Sequence, residues 1–178
     1  MAVATSKITI VSMKFKTKDI AYIGILIALN IVFTRLLAIN TMNMKFGFGF
    51  IAAAVAAMLY GPLAAAIVAG LGDFLGSTLF AVGTYFPGFT LTALFTGLIY
   101  GFLLHGEASK TKMLLAVLMD QLIISLCINT YFISLLSGSS YMALFSMRII
   151  QAVIMGAVQF ACFCLLPRLV NKIKQFTE

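Results

Sequence analysis

Four charged residues fall inside or beside long apolar runs: Arg35, Asp73, Asp120 and Arg148. A charge near the middle of a bilayer costs at least about 2.5–3.5 kcal/mol. Such groups persist when they face a bundle interior, pair with one another, or meet a ligand. Arg35, Lys45 and Arg148 all fall toward the same end of the apolar segments. Two readings compete. In one, Arg148 pairs with Asp73, or Arg35 and Lys45 reach outward to headgroups. In the other, the cations line an outward-facing cavity suited to carboxylates or phosphate.

Polar stripes accompany these charges. Gln121, Ser125 and Asn129 recur every four residues, and Arg148, Gln151, Met155 and Gln159 lie on or near one helical face. Such stripes also serve plain interhelical hydrogen bonding. Aromatic rings alternate with glycines in Phe46-Gly47-Phe48-Gly49-Phe50, and Tyr85-Phe86-Pro87-Gly88-Phe89 repeats the theme. An interfacial belt would explain the rings. It would not require the glycines, which let a backbone approach a ligand or another helix closely. Planar ligands are held by aromatic faces and oriented by a few polar groups.

Several chemistries are not encoded. No G-x-x-x-x-G-K-[ST] loop occurs, and neither does H-E-x-x-H or G-x-S-x-G. The single histidine is His105, and Cys127, Cys162 and Cys164 sit in apolar runs without ligand spacing. No metal site and no cofactor is expected.

These side chains must be positioned by membrane helices. The chain has 178 residues, 62% hydrophobic and 10% charged, with mean hydropathy +1.11. Soluble domains carry about 25% charged residues. In lipid only helices or closed barrels satisfy the backbone, and long continuous apolar runs favour helices. Spanning helices need about 20 residues. The expected architecture is an all-α integral membrane protein, a single domain over residues 1–178 with six transmembrane helices. The helices are placed at about 18–37, 48–60, 62–80, 88–104, 113–135 and 141–166, with Pro167 closing or kinking the last. Residues 1–16 and 167–178 are then cytoplasmic ends.

Charge sets the orientation. Lys7, Lys14, Lys16, Lys18, Lys110, Lys112, Arg168, Lys172 and Lys174 all fall on one side of that layout. The positive-inside rule makes this side cytoplasmic, with both termini. Topology thus accounts for the net charge of +7. No basic patch interleaved with aromatics lies outside the membrane, so nucleic acid is not an expected partner.

Small residues are dense. Ala21, Gly24 and Ala28 repeat along the first helix, followed by Gly72-xxx-Gly76, Gly97-xxx-Gly101 and an alanine run from Ala52 to Ala57. Such faces pack helices inside the bundle, or offer a smooth exterior to a partner subunit.

The stretches Lys45–Ile51, Met58-Leu-Tyr-Gly-Pro62, Gly72-Asp73, Thr84–Thr90 and Thr96-Gly-Leu-Ile-Tyr-Gly101 resemble the S components of energy-coupling factor vitamin transporters, specifically the folate type. The resemblance extends over nearly the whole chain. It implies six helices, an outward-opening pocket, and a prokaryotic multi-pass protein of the plasma membrane. It also implies partners: a transmembrane scaffold subunit and two cytoplasmic ATPases. It further implies that the pocket topples inward during transport and that ATP hydrolysis by the partners resets it. The family's Ala-x-x-x-Ala partner motif maps to Gly24 and Ala28, beside Ala21.

Folate fits chemically. Its flat pterin suits Phe48, Tyr85, Phe86 or Phe89, and its glutamate carboxylates suit Arg35, Lys45 or Arg148. Asp73 or Asn129 could read the amino-pyrimidine edge. The alternatives are an S component for another flat vitamin such as riboflavin or thiamine, a small membrane enzyme using Asp73 or Asp120, and a purely structural assembly subunit. Three outer cations argue against cationic thiamine.

Overall fold

In the computed structural model, residues 17–40, 45–80, 85–106 and 109–177 are described. The N-terminal lysines Lys7, Lys14 and Lys16, the polar break at 41–43 and the turn at Gly83 lie outside these residues. Helix α1 runs Thr17–Leu36, α2 Phe50–Tyr60, α3 Pro62–Leu79, α4 Pro87–Leu104, α5 Lys110–Ser137 and α6 Tyr141–Thr177. A two-residue antiparallel ribbon joins β1 (Ile39–Asn40) to β2 (Lys45–Phe46), pairing Ile39 with Phe46 and Asn40 with Lys45. It is too short to leave an alternating signature in the sequence.

Five of the six helices are long and apolar enough to cross a membrane. The chain is a multi-pass membrane protein. Helix α2 differs. Its 11 residues give about 16 Å, half of a hydrocarbon core of about 30 Å. Chain 45–49 enters ahead of it in non-helical form.

Glycine and alanine set the spacing of the core. Gly61 has φ 84°, a turn conformation that favours glycine. It hands the chain to Pro62, whose missing N–H costs nothing at the first helical position. A Cβ on Gly101 would collide with Pro62 Cα, and one on Gly97 would lie 2.5 Å from Ala65 O. Helices α3 and α4 therefore touch backbone to backbone. Ala52, Ala54, Ala56, Ala57, Ala64 and Ala65 are fully buried beside them. The alanine-rich middle is bundle packing. Large apolar side chains such as Leu63, Met142 and Val153 face outward, as lipid contact permits.

Two expectations change. Pro167 does not end the last helix, which continues to Thr177. Proline removes one hydrogen bond, but Phe163, Leu166 and Val170 on either side are packed into the core and carry the helix through. Helix α5 begins at Lys110, three residues earlier than the apolar pattern implies.

Two helices contain π segments: Val32–Leu36 in α1 and Met119–Asn129 in α5. Bonding from i to i+5 widens the helix and lengthens its repeat beyond that of an α-helix. Residues four and five apart then stay on one side. Both segments lie along the same cavity.

Candidate functional site

All six helices contribute to a cavity of about 400 Å³. Its size falls in the range of small-molecule sites, roughly 300–1,000 Å³. Along α4 it runs from Phe89 to Tyr100, and along α6 from Arg148 to Gln159. Eleven residues of helix span about 16 Å, so the cavity is deep.

At one end, side chains from α1, α3 and α4 form a connected network. The π segment of α1 brings Arg35 onto α3, where Gly76 leaves room for it: a Cβ there would be 3.0 Å from Arg35 Nε. Arg35 Nη2 lies 3.2 Å from Asp73 Oδ1. The other Asp73 oxygen accepts from Thr90 Oγ1 at 3.0 Å, and Thr90 is 3.3 Å from the Tyr85 hydroxyl. Arg35 is 10% exposed, so it does not reach out to headgroups. The ion pair is Arg35–Asp73, not Arg148–Asp73. The reason is proximity across the close α1–α3 contact.

Arg148 lies two turns into α6 and is 6% exposed. Its Nε and Nη1 are buried and have no hydrogen-bond partner among the described residues. Both arginines line the cavity. Asn129, at the end of the α5 π segment, also lines it, with Oδ1 accepting from Thr92 Oγ1 at 2.9 Å.

Aromatic rings wall this end. Phe86, Phe89 and Phe132 form a three-ring cluster with centroids 5.1 to 6.0 Å apart. Tyr85 packs edge-on to Phe74 at 6.0 Å. Tyr85, Phe86 and Phe89 line the cavity; Phe48 is not among its lining residues, although its neighbour Phe50 is. Lys45 leads the glycine-rich segment toward the cavity through its backbone pairing with Asn40; its side chain is not among those described.

Asn30 ties that segment to the helices. It is buried, it donates from Nδ2 to Gly49 O at 3.1 Å, and it rests against Gly72. The glycines between the rings thus serve close approach: a Cβ on Gly49 would collide with the Thr34 side chain.

The sequence stripes reappear as walls. Gln121, Ser125 and Asn129 on α5 line the cavity, as do Arg148, Gln151, Met155 and Gln159 on α6. The residues missed from sequence are Asn30, Thr92, Thr96 and Tyr100. Thr92, Thr96 and Tyr100 recur every four residues on α4, which was the available signal. It was faint, because threonine commonly bonds its own helix backbone and polar side chains often serve plain interhelical bonding. Asp120 was visible only as a charge out of place.

The family of ECF-type riboflavin transporter S components matches residues 14–173. The chain belongs to this family of S components. Among curated proteins, the folate transporter FolT of Clostridium novyi is 37% identical over 170 residues, covering 92% of this chain and 99% of that protein. A folate transporter FolT of Leuconostoc mesenteroides is 29% identical over 153 residues, 82% of each chain. Among solved structures, the crystal structure of FolT bound with folic acid superposes with a TM-score of 0.80. It is 34% identical and covers 85% of this chain and 93% of that one. The family is one of transport components, which sets aside the reading of a small membrane enzyme built on Asp73 or Asp120.

Proposed function

We propose that this chain is the folate-binding S component of an energy-coupling factor importer of the plasma membrane. One observation carries the vitamin's identity. Arg148 presents a buried guanidinium whose Nε and Nη1 lack a partner among the described residues, inside a cavity where Arg35 is ion-paired to Asp73 through Nη2. Riboflavin is uncharged and would leave that cation uncompensated. Folate ends in two carboxylates, and Arg binds a carboxylate through paired, charge-assisted bonds. The names of the curated relatives agree with this choice.

In this reading Arg148 takes a glutamate carboxylate. Arg35, steered by Asp73, adds positive potential beside it, and Lys45 supplies more from the segment above. Tyr85, Phe86 and Phe89 flank one of the ligand's flat rings, and Asn129 adds a polar contact. Phe48 closes the wall through Phe50, its ring neighbour at 6.4 Å.

The chain encodes no ATP-binding loop, so energy comes from elsewhere. A scaffold subunit of the membrane and two cytoplasmic ATPases are the partners. Ala21, Gly24 and Ala28 face outward on α1, and nothing lies within 4 Å of a Cβ built on Gly24. This smooth exterior suits close docking of another helix. Both termini lie in the cytoplasm, and reorientation with the module delivers the vitamin inward.

The test is purification from folate-containing medium followed by titration. Folate absorbance in the pure protein, with riboflavin unable to displace it, supports the reading. Protein that binds riboflavin and not folate overturns it.

A further inference from the structure

One exposed face of α6 changes character along its length. Met147, Ile150, Ile154, Val158 and Leu165 follow one another along this face and are all exposed, with Ala161 between the last two. Their steps of three or four residues, counted through Ala161, keep them on one side of the helix. This apolar stretch covers about 27 Å, close to a hydrocarbon core of about 30 Å. The next two steps on the same face are Arg168 and Lys172, both exposed. Pro167 does not interrupt them, since the helix continues to Thr177. The opposite face stays buried at Phe163, Leu166 and Val170. The two cations are therefore carried on a packed helix, not on a free tail.

Helix α5 brings a second pair of cations to the same end. Lys110 and Lys112 open it and are exposed, ahead of exposed Leu114, Leu115 and Leu118. Met113 and Val117 are buried in the cluster that holds Phe163, Leu166 and Val170, so the start of α5 packs on the inner part of α6. Among the described residues, the carboxylate at this end is Asp19 on α1, a helix that packs on α2 and α3. The positive-inside rule asks only for an excess of cations on this side. It does not ask that they continue the lipid-facing side of a helix.

We propose that Arg168 and Lys172, with Lys110 and Lys112, form a surface that binds the phosphate groups of anionic phospholipids in the cytoplasmic leaflet. The occupant follows from the continuity of the face. What covers Ile154 to Leu165 in a bilayer is a lipid chain, and its headgroup lies about one helical turn further, where the face turns cationic. A guanidinium takes a phosphate through paired charge-assisted bonds, and an ammonium takes it as a point charge. A zwitterionic headgroup carries its own cation, so the attraction is to lipids of net negative charge. Leu169 and Ile173, exposed beside the cations, rest at the boundary of the acyl chains, as the apolar side of an interfacial helix does. The surface fixes the depth of α6 in the membrane. It lies twenty residues from Arg148 along α6, about 30 Å, and so acts without touching the vitamin cavity. The proposal uses the orientation given above and is independent of which vitamin is bound.

Native mass spectrometry of the full chain, released from micelles holding equal amounts of phosphatidylglycerol and phosphatidylcholine, reads the preference directly. Wild-type protein is expected to retain phosphatidylglycerol by about fivefold or more, the gain that one Lys or Arg brings near an anionic surface. The double variant Arg168→Gln, Lys172→Gln should bring the ratio close to one, while its thermal midpoint and folate affinity stay those of the wild type. Lys18→Gln, on α1, should keep the ratio. Raised salt during lipid equilibration should lower the wild-type ratio, a test that stands even where the double variant fails to fold. Equal retention of the two lipids by wild-type protein overturns the proposal. So does a ratio that survives in the double variant, falls as far in Lys18→Gln, or ignores salt. A wild-type ratio near one, together with lost uptake by the double variant in cells expressing an energy-coupling module, would give these cations to a protein partner instead. Failure of the wild-type protein to bind folate strikes the folate reading and leaves the lipid ratio to be judged by itself.

Discussion

Arg35 and Asp73 form an ion pair of 3.2 Å between α1 and α3, with side chains 10% and 19% exposed. Both Asp73 oxygens are engaged, one by Arg35 and the other by Thr90. The pair neutralises one of the two cavity arginines before any ligand arrives. Among the described residues, Arg148 is left as the cavity arginine without a carboxylate partner.

Asp73→Asn should therefore act mainly on the fold. Removing the carboxylate leaves a largely buried guanidinium without its partner, a loss of about 1–3 kcal/mol. Partial exposure keeps it at the lower end. The thermal midpoint in detergent should drop by several degrees, while folate affinity changes by less than tenfold. A larger loss of affinity than of stability would place Asp73 in direct contact with the ligand.

Arg148→Gln should do the opposite. A charge-assisted bond to a carboxylate contributes about 1.5–3 kcal/mol, which corresponds to a roughly 10- to 150-fold rise in Kd. The folded protein should not suffer, because a buried unpaired charge is itself a cost. Titration and thermal unfolding of the same sample separate the two effects. Unchanged folate affinity in a folded variant would remove Arg148 from the site.

Much of this was legible beforehand, for identifiable reasons. Apolar run length gives the helices, because lipid leaves the backbone only helices or closed barrels and long continuous runs do not alternate as barrel strands do. The stripes on α5 and α6 survive folding, since residues four apart share a face in both helix types present. Pairing of charges was not legible. Whether Asp73 meets Arg35 or Arg148 depends on how closely α1 approaches α3, and that closeness is set by Gly72 and Gly76 against Asn30 and Arg35. The π segments carry no local sequence signal either. Pro167 does not close the last helix, because propensity yields to packing when Phe163, Leu166 and Val170 are all buried.

Asn30 makes a test of how the glycine-rich segment is held. Its bond to Gly49 O joins α1 to the chain that enters before α2. Asn30→Ala removes that bond, at about 0.5–1.5 kcal/mol, while Gly49 O keeps its bond from Ala53 N. The segment lines the cavity through Gly47 and Gly49, so loosening it should speed folate release. Stopped-flow dissociation is expected to show a faster rate with little change in association. An unaltered dissociation rate would make the bond purely structural.

The two kinds of small-residue face should respond in opposite ways. A Cβ on Gly97 meets Ala65 O at 2.5 Å, and backbone cannot move aside cheaply. Gly97→Ala should cost about 1–3 kcal/mol through overpacking, read as a lowered thermal midpoint. Gly24 faces open space, so Gly24→Leu should leave both midpoint and folate affinity unchanged. Its added bulk would still block a helix from approaching α1 closely. Folate uptake in cells that also express an energy-coupling module should then fall while binding by the purified chain persists. Full uptake by Gly24→Leu would move the docking surface away from this face of α1.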